Sequence, residues 1–503
     1  RIIPDAVVTT SSEVLPEYRE HERFSTTALS AYVAPRMRRY LSSLRNRLRS
    51  QDCRAEVSIM TSSGGTLPDN RIERLPVLSM LSGPAAGVIA AQYVARQSGY
   101  ANVITCDMGG TSTDVCLMRD WAYPMTGAGK VGVFPVKVQQ VDINTVGAGG
   151  GSIASYDNGQ VLKVGPRSAG AVPGPACYGR GGLEPTVTDA NVLLGRLGSS
   201  DQAQVGLATV ERKAARGKAA DAVGRLAAEV GLAPIAMAEG IVRIAVVNMT
   251  GAIKEISVMR GLDPRDFSLM AYGGAGPLHA AAIADELGIS TVIVPPMPAN
   301  FSAFGLLVAD VKRDLVRTRV SATAETAVTD IAATFDELME AGRAELAEAG
   351  FEATNQRLET TLDMRYLGQA FELPVPVDLD DLTLERIEAD FRAIYAARYG
   401  SAPKSGSEIV SYRVAAWGLT AKPELATLTG ANRPATPEPV STRDVTFDGA
   451  EYTTPVYQRD ALPIDVAVAG PAVIEEASTA TIIPPAWSAR LAPHGCLVVE
   501  REQ

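Results

Sequence analysis

A glycine hairpin restricts the fold more than any other feature of this chain. Asn102 to Asp107 is an apolar run that reads as a strand, Gly109-Gly110 supply a tight turn, and Asp114 to Met118 returns as a second run. The full segment is Asp107-Met108-Gly109-Gly110-Thr111-Ser112-Thr113-Asp114. Two glycines suffice for a tight turn. A carboxylate ending the strand and a hydroxyl-rich stretch after the turn add chemistry that a turn does not need. Glycine lets the backbone approach a phosphate and present its N–H groups, hydroxyls donate further bonds, and a carboxylate holds Mg²⁺ directly or through water. The expectation is a phosphate site with Asp107, Thr111 and Asp114 as the catalytic groups. Gly109, Gly110 and Thr111 would bind the phosphates, and Asp107 the metal.

A second glycine loop, Tyr272-Gly273-Gly274-Ala275-Gly276-Pro277-Leu278-His279, joins a predicted strand (Phe267 to Tyr272) to a helix that opens on proline. Bare backbone over Gly273, Gly274, Ala275 and Gly276 lets a nucleoside lie close, and the helix start favours anions. Alone this is a sharp turn. Paired with the hairpin about 160 residues earlier it is informative. A third glycine run, GAGGGS at 147–152, adds Gly149 and Gly150 to the expected nucleotide-binding set. No Walker-type loop is present, and no strand is followed by G-x-G-x-x-G, so P-loop and dinucleotide-binding folds lose ground.

Around these loops the pattern is that of an α/β protein. Helices are predicted over Thr26–Arg49, from Ser82-Gly83-Pro84 to about Arg96, and over Pro234–Met259, with a short strand at Glu56–Met60. Thr188-Asp189 is expected to cap a helix running to Leu197, and Gly165–Gly182 reads as a structured loop or linker. After Asp314 the texture changes to a Glu/Ala-rich helix (about Glu325–Ala349), an alternating run at 358–368, a helix near Leu382–Tyr399 and short strands to Glu500. This predicts a separate α+β domain, with the divide near 311–325 and an internal loop at 433–442.

At 503 residues the chain exceeds the roughly 250–300 that one core supports, so at least two domains are expected. A net charge of −10 argues against holding nucleic acid or anionic lipid by bulk electrostatics. No run of about 18 uninterrupted apolar residues appears, and RIIPDAVV lacks the parts of a signal peptide. A soluble cytoplasmic protein, with no membrane or nucleic-acid partner, is the expectation. The five scattered cysteines form no C-x-x-C and are expected to be reduced and mostly buried. Of three histidines, His279 alone lies in a motif, where a structural role is the simpler reading. Asp142 and Asp189 stand near glycine or threonine clusters as further candidates for positioning Mg²⁺ or water, Asp189 also serving as a helix cap.

The motifs LSGPAAG (81–87), DMGGTSTDV (107–115), GAGGGSIA (147–154), GPACYGRGG (174–182), PTVTDAN (185–191) and YGGAGPLHA (272–280) together resemble those of hydantoinase A proteins. That family includes the A half of 5-oxoprolinase and β-type subunits of acetone carboxylase. The likeness covers roughly residues 1–310, and GPAVIEE (470–476) extends it more weakly. It implies an α/β, actin-like (ribonuclease-H-like) ATPase fold shared with acetate and sugar kinases, heat-shock chaperones and actin, plus a C-terminal α+β domain. By the same resemblance 107–114 is the second phosphate hairpin and 273–276 the adenosine loop.

The resemblance further implies three segments: 1–18 as the end of a truncated N-terminal domain, 19–312 as the ATPase domain and 325–503 as the C-terminal domain. The first phosphate hairpin of relatives is not in this sequence, which opens on Arg1, so an incomplete catalytic lobe is expected. Relatives carry Ser-Asn-Gly-Gly where this chain has Ser62-Ser63-Gly64-Gly65, so substrate-side chemistry at that loop is expected to differ.

The implied function is ATP- and Mg²⁺-dependent activation of a cyclic amide (hydantoin, 5-oxoproline or lactam), with a B-type hydantoinase subunit completing the reaction in a hetero-oligomer. The alternatives are a ketone carboxylase subunit, a small-molecule kinase and a chaperone-like ATPase of the same fold.

Overall fold

The computed structural model describes residues 8–17, 19–157, 161–198, 202–205, 208–425 and 433–502. They group into two compact units that interleave along the chain. The first unit runs to Ala85 and resumes over Met125–Val141 and Val308–Lys422; the second comprises Ala86–Pro124, Asp142–Leu307 and the part from Pro423 onward. The stretch 311–325, expected as a divide, is occupied by the strand Val311–Ala322 and a short 3₁₀ turn of the first unit. Residues 325–503 are therefore shared between the units. The cause is strand pairing: Val311–Ala322 pairs with Ser407–Gly418, whereas Leu497–Arg501 pairs with Thr291–Val294.

In the first unit six strands run in the order Ser58–Met60, Thr66–Pro68, Val311–Ala322, Ser407–Gly418, Gln356–Tyr366 and Leu373–Pro376. The helices Val328–Glu348 and Leu384–Tyr399 bury Phe335, Leu338 and Phe391 against Leu362, Met364 and Val414 of this sheet. The 31-residue helix Glu20–Ser50 extends the predicted Thr26–Arg49 at its N-terminal end. Ser62-Ser63-Gly64-Gly65 is a buried turn in which Ser63 Oγ donates to Asp314 Oδ2 (3.1 Å) and Ser62 Oγ to Leu78 O (3.0 Å).

The second unit is built on eight strands in the order Ala467–Ala469, Trp487–Leu491, Leu497–Arg501, Thr291–Val294, Ser268–Tyr272, Val103–Met108, Thr113–Met118 and Asn144–Val146. Ser268–Tyr272 is parallel to both of its neighbours, and the other pairings are antiparallel. The helix Pro234–Ile256 packs Met237, Ile241, Ala245 and Met249 into the core, as its spacing predicts. Pro234–Arg260 is long and apolar enough by length and composition to cross a membrane, but half of its apolar window is buried in this core. A second sheet of Ser441–Phe447, Ala450–Gln458, Ala472–Glu476 and Thr479–Ile483 packs Val445, Val473 and Ile482 with Leu278 of the helix Gly276–Leu287.

Two local expectations need correction. Thr186, not Thr188-Asp189, caps the helix Val187–Leu193, with Thr186 Oγ1 accepting from Asp189 N (3.2 Å) and the Asp189 carboxylate accepting from Thr186 N (2.9 Å). Asp189 is thus the acidic third residue of a reciprocal capping box rather than the cap. The segment expected as a loop from Gly165 begins as strand: Val161–Ser168 pairs with Ser152–Asp157. The register breaks between the pairs Ala154–Val164 and Ser152–Ser168, so Gly165, Pro166 and Arg167 form an irregularity in the strand, and their Gly and Pro obscure the alternation.

Candidate functional site

Parallel strands place ligands beyond their carboxyl ends. Val103–Met108 and Ser268–Tyr272 end together, with Asp107 registered beside Tyr272, so the two glycine loops read from the sequence emerge side by side. Ala275 N donates to Met108 O (3.0 Å), and Gly273 (φ +80°) tolerates no side chain, since a Cβ would lie 2.4 Å from Met108 O. The third loop locks onto the hairpin tip. Gly150 N donates to Gly109 O (3.0 Å), Gly151 N to Gly110 O (2.7 Å), and Thr113 Oγ1 to Ala148 O (2.5 Å). A Cβ at Gly149 would meet Thr111 N at 2.6 Å, so the approach requires glycine.

Gly109, Gly110, Thr111, Gly150, Gly274 and Ala275 line one cavity of about 660 Å³ in the second unit. The backbone N–H groups of Gly110, Thr111, Ser112 and Gly274 meet no acceptor among the described residues. A cluster of unspent N–H groups on glycine backbone is a nest for anionic oxygens. Gly149 and Gly276 stand just behind this wall, packed on Thr111 and on the Cys106 carbonyl.

The carboxylates lie at the foot of the hairpin. Asp107 and Asp114 are opposite residues of the antiparallel pair. Ser302 Oγ donates to Asp107 Oδ2 (3.1 Å) and Thr145 Oγ1 to Asp114 Oδ1 (2.5 Å). Burial pushes the Asp107 carboxyl up to about 6 against the Ser302 hydrogen bond, with the Asp114 charge adding to the rise. Burial raises Asp114 as well, against its bond from Thr145. Two carboxylates held this way are poorly compensated by protein groups. Among the described residues, no three His, Cys, Asp or Glu side chains gather into a metal cage.

The other candidates sort themselves. Asp142 is paired with Arg260 (2.7 Å). Asp189, fully buried, accepts from the N–H groups of Ala176 (3.2 Å), Cys177 (2.7 Å) and Thr186 (2.9 Å), so it ties down the 174–178 loop. His279 is 1 % exposed, and burial, helped by Arg196, lowers it to about 3, which makes it a neutral core residue. The cysteines are unpaired thiols, four of them buried.

Sequence reasoning missed part of the wall: Tyr178 and Arg180, and the turn Glu475-Glu476-Ala477-Ser478-Thr479. GPACYGRGG and GPAVIEE mark both stretches in the sequence, but neither pattern names a chemistry there. Glu475 is paired with Arg443 (2.6 Å), and Glu476 with Arg459 (2.6 Å).

Residues 23–315 match the family model described as Hydantoinase/oxoprolinase, and 319–501 match the Hydantoinase/oxoprolinase C-terminal domain. The chain is 34 % identical to caprolactamase subunit alpha of Pseudomonas jessenii over 98 % of its own length and 71 % of that protein. The crystal structure of the ATP-dependent caprolactamase from that organism superposes with a TM-score of 0.83 at 32 % identity, covering 99 % of this chain and 73 % of the other. Identity to 5-oxoprolinase 1 of Arabidopsis thaliana is 30 %, over 98 % of this chain and 40 % of that protein. To the acetophenone carboxylase gamma subunit of Aromatoleum aromaticum it is 31 %, over 98 % and 69 %. Two family models that together span nearly the whole sequence settle the assignment: this chain belongs to the hydantoinase/oxoprolinase family.

Proposed function

We propose that the second unit binds ATP with Mg²⁺ on an actin-like fold and passes the terminal phosphoryl group to the oxygen of a cyclic amide. A partner subunit then completes ring opening in a cytoplasmic hetero-oligomer. The observation that carries this reading is the convergence of three glycine loops on one cavity with unspent N–H groups, one of them the tip of the hairpin that also bears the Asp107/Asp114 pair, although neither carboxylate lines the cavity itself. Relatives named as an ATP-dependent caprolactamase and a 5-oxoprolinase support the cyclic amide, and names such as "subunit alpha" support the partner.

The N–H groups of Gly110, Thr111 and Ser112 would stabilise phosphate oxygens from a fixed backbone, which costs no reorganisation during the reaction. Asp107, with Asp114 behind it, suits Mg²⁺, a cation usually held by one or two carboxylates plus phosphates and water. Bound there, the cation would neutralise charge on the phosphates. In the transfer the amide oxygen bonds to phosphorus, ADP leaves with the bonding pair, and the ring N–H proton is released. Water then adds to the activated carbon, the ring C–N bond breaks to an acyl phosphate and a free amine, and a second water frees phosphate.

The test is product analysis with ATP, Mg²⁺ and ε-caprolactam, 5-oxoproline or hydantoin, using the protein with its partner subunit. ADP, free phosphate and an opened ring in equal amounts are expected. A stable phosphoester would make it a kinase. Turnover that requires a ketone and bicarbonate would make it a carboxylase subunit.

A further inference from the structure

Among the residues lining the cavity, the charged side chains are Glu475, Glu476 and Arg180. Both glutamates are neutralised, by Arg443 and Arg459. Arg180 is exposed and makes no ion pair or hydrogen bond with any described residue. The cavity therefore carries one uncompensated charge, and it is positive. A guanidinium lining the same cavity as the unspent backbone N–H groups of Gly110, Thr111 and Gly274 is matched to an anion with several oxygens, because its planar fork binds two of them at once.

The loop that bears Arg180 is built to hold it at a defined root. Asp189 fixes Ala176 and Cys177 through their N–H groups, and Cys177 is itself fully buried. Beyond Tyr178 the chain turns on Gly179 (φ +69°) and Gly181 (φ +100°), so Arg180 stands between two left-handed residues. An anchored base and a glycine-flanked tip leave a long side chain free to follow a ligand's charge.

We propose that Arg180 contacts the terminal phosphate of the bound nucleotide and stabilises the charge that develops as that group is transferred. The proposal rests on the nucleotide reading above. It adds a catalytic residue from outside the glycine hairpins, and no covalent step beyond the transfer already described. A cationic side chain in this role raises turnover far more than it raises affinity, because its contacts strengthen in the transition state.

The experiment compares Arg180→Ala and Arg180→Lys with wild type in the holoenzyme, measuring ATP binding, kcat, both KM values and rescue by guanidinium chloride. The expected result for Arg180→Ala is a kcat reduced by roughly a thousandfold or more. KM for ATP should stay within about threefold and the melting temperature should not move, since Arg180 is exposed and unbonded. Added guanidinium should restore part of the Arg180→Ala rate and none of the Arg180→Lys rate. The proposal fails if Arg180→Ala keeps kcat within about threefold of wild type. It also fails if the main effect is a raised KM for the organic substrate, which would make Arg180 a holder of that substrate's anion. Wild-type protein that binds no ATP would instead overturn the nucleotide reading and remove this inference with it.

Discussion

Asp107 is held in a way that costs the fold, which is what the proposed site requires of it. Its carboxylate sits at a strand end against Ser302, facing Asp114, in surroundings that raise it to about 6. Replacing it by Asn keeps the shape, keeps an acceptor for Ser302 and removes a poorly compensated charge. The Asp107→Asn variant should melt at or above wild type in a thermal scan at neutral pH. Its ATP turnover should fall by about 10²–10³, or roughly 3–4 kcal/mol. Normal hydrolysis at ordinary Mg²⁺ would remove Asp107 from the site. The two adjacent glycines separate in the same way. A Cβ at Gly274 would reach nothing closer than Ser478 O at 3.9 Å, whereas one at Gly273 would meet Met108 O at 2.4 Å in a left-handed backbone. Gly274→Val should therefore raise KM for ATP more than for the organic substrate, with the melt preserved. Gly273→Ala should lower the melting temperature itself.

At the scale of elements, the 174–186 loop depends on one buried carboxylate. Asp189→Asn would turn its amide N–H₂ toward at least one donor that now meets oxygen, leaving that donor and the amide's own N–H unmet at about 1–3 kcal/mol each. A loss of about 2–6 kcal/mol in urea unfolding is expected, equal with and without Mg²⁺. A loss that Mg²⁺ alters would mean that Asp189 has a metal role. The sequence already contained this arrangement: Thr186-x-x-Asp189 is the spacing of a capping box, and reading Thr188-Asp189 as the cap overlooked the acid three residues on. The hairpin at 107–114 and the loop at 273–276 were legible because glycine, carboxylate and hydroxyl each answer a local demand. The turn at 475–479 was not, because its place in the cavity comes from packing of its sheet on Leu278, and no local pattern encodes that contact. The interleaving of the units was hidden for a related reason. Strands that pair across hundreds of residues leave no periodic signal of their partner.

Long-range pairing at the scale of the whole molecule also sets how the first unit responds to acid. Glu17, Lys137, Asp363, Glu372 and Arg413 come from four distant stretches of chain and meet as a network of ion pairs: Lys137 Nζ and Arg413 Nη2 lie 2.7 and 2.8 Å from Glu17, while Arg413 Nε lies 2.6 Å from Asp363. Glu17 is 5 % exposed at its side chain. Burial alone would raise its carboxyl, but Arg413 and Lys137 hold it below its ordinary value of 4.5. A carboxylate lowered on folding stabilises the native state above its unfolded value and loses that contribution as pH falls through the folded one. Glu17→Gln leaves two buried cations short of a partner, for which about 3–5 kcal/mol is usual when one member of a buried pair is removed. The urea midpoint of Glu17→Gln should therefore lie well below wild type at pH 7. The gap should hold down to about pH 4.5 and close as pH falls further, because wild-type Glu17 then protonates and resembles the amide. A gap of the same size at pH 3 and pH 7 would mean that Glu17 acts through packing and hydrogen bonding alone, and that the ion network does not set the acid stability of this unit.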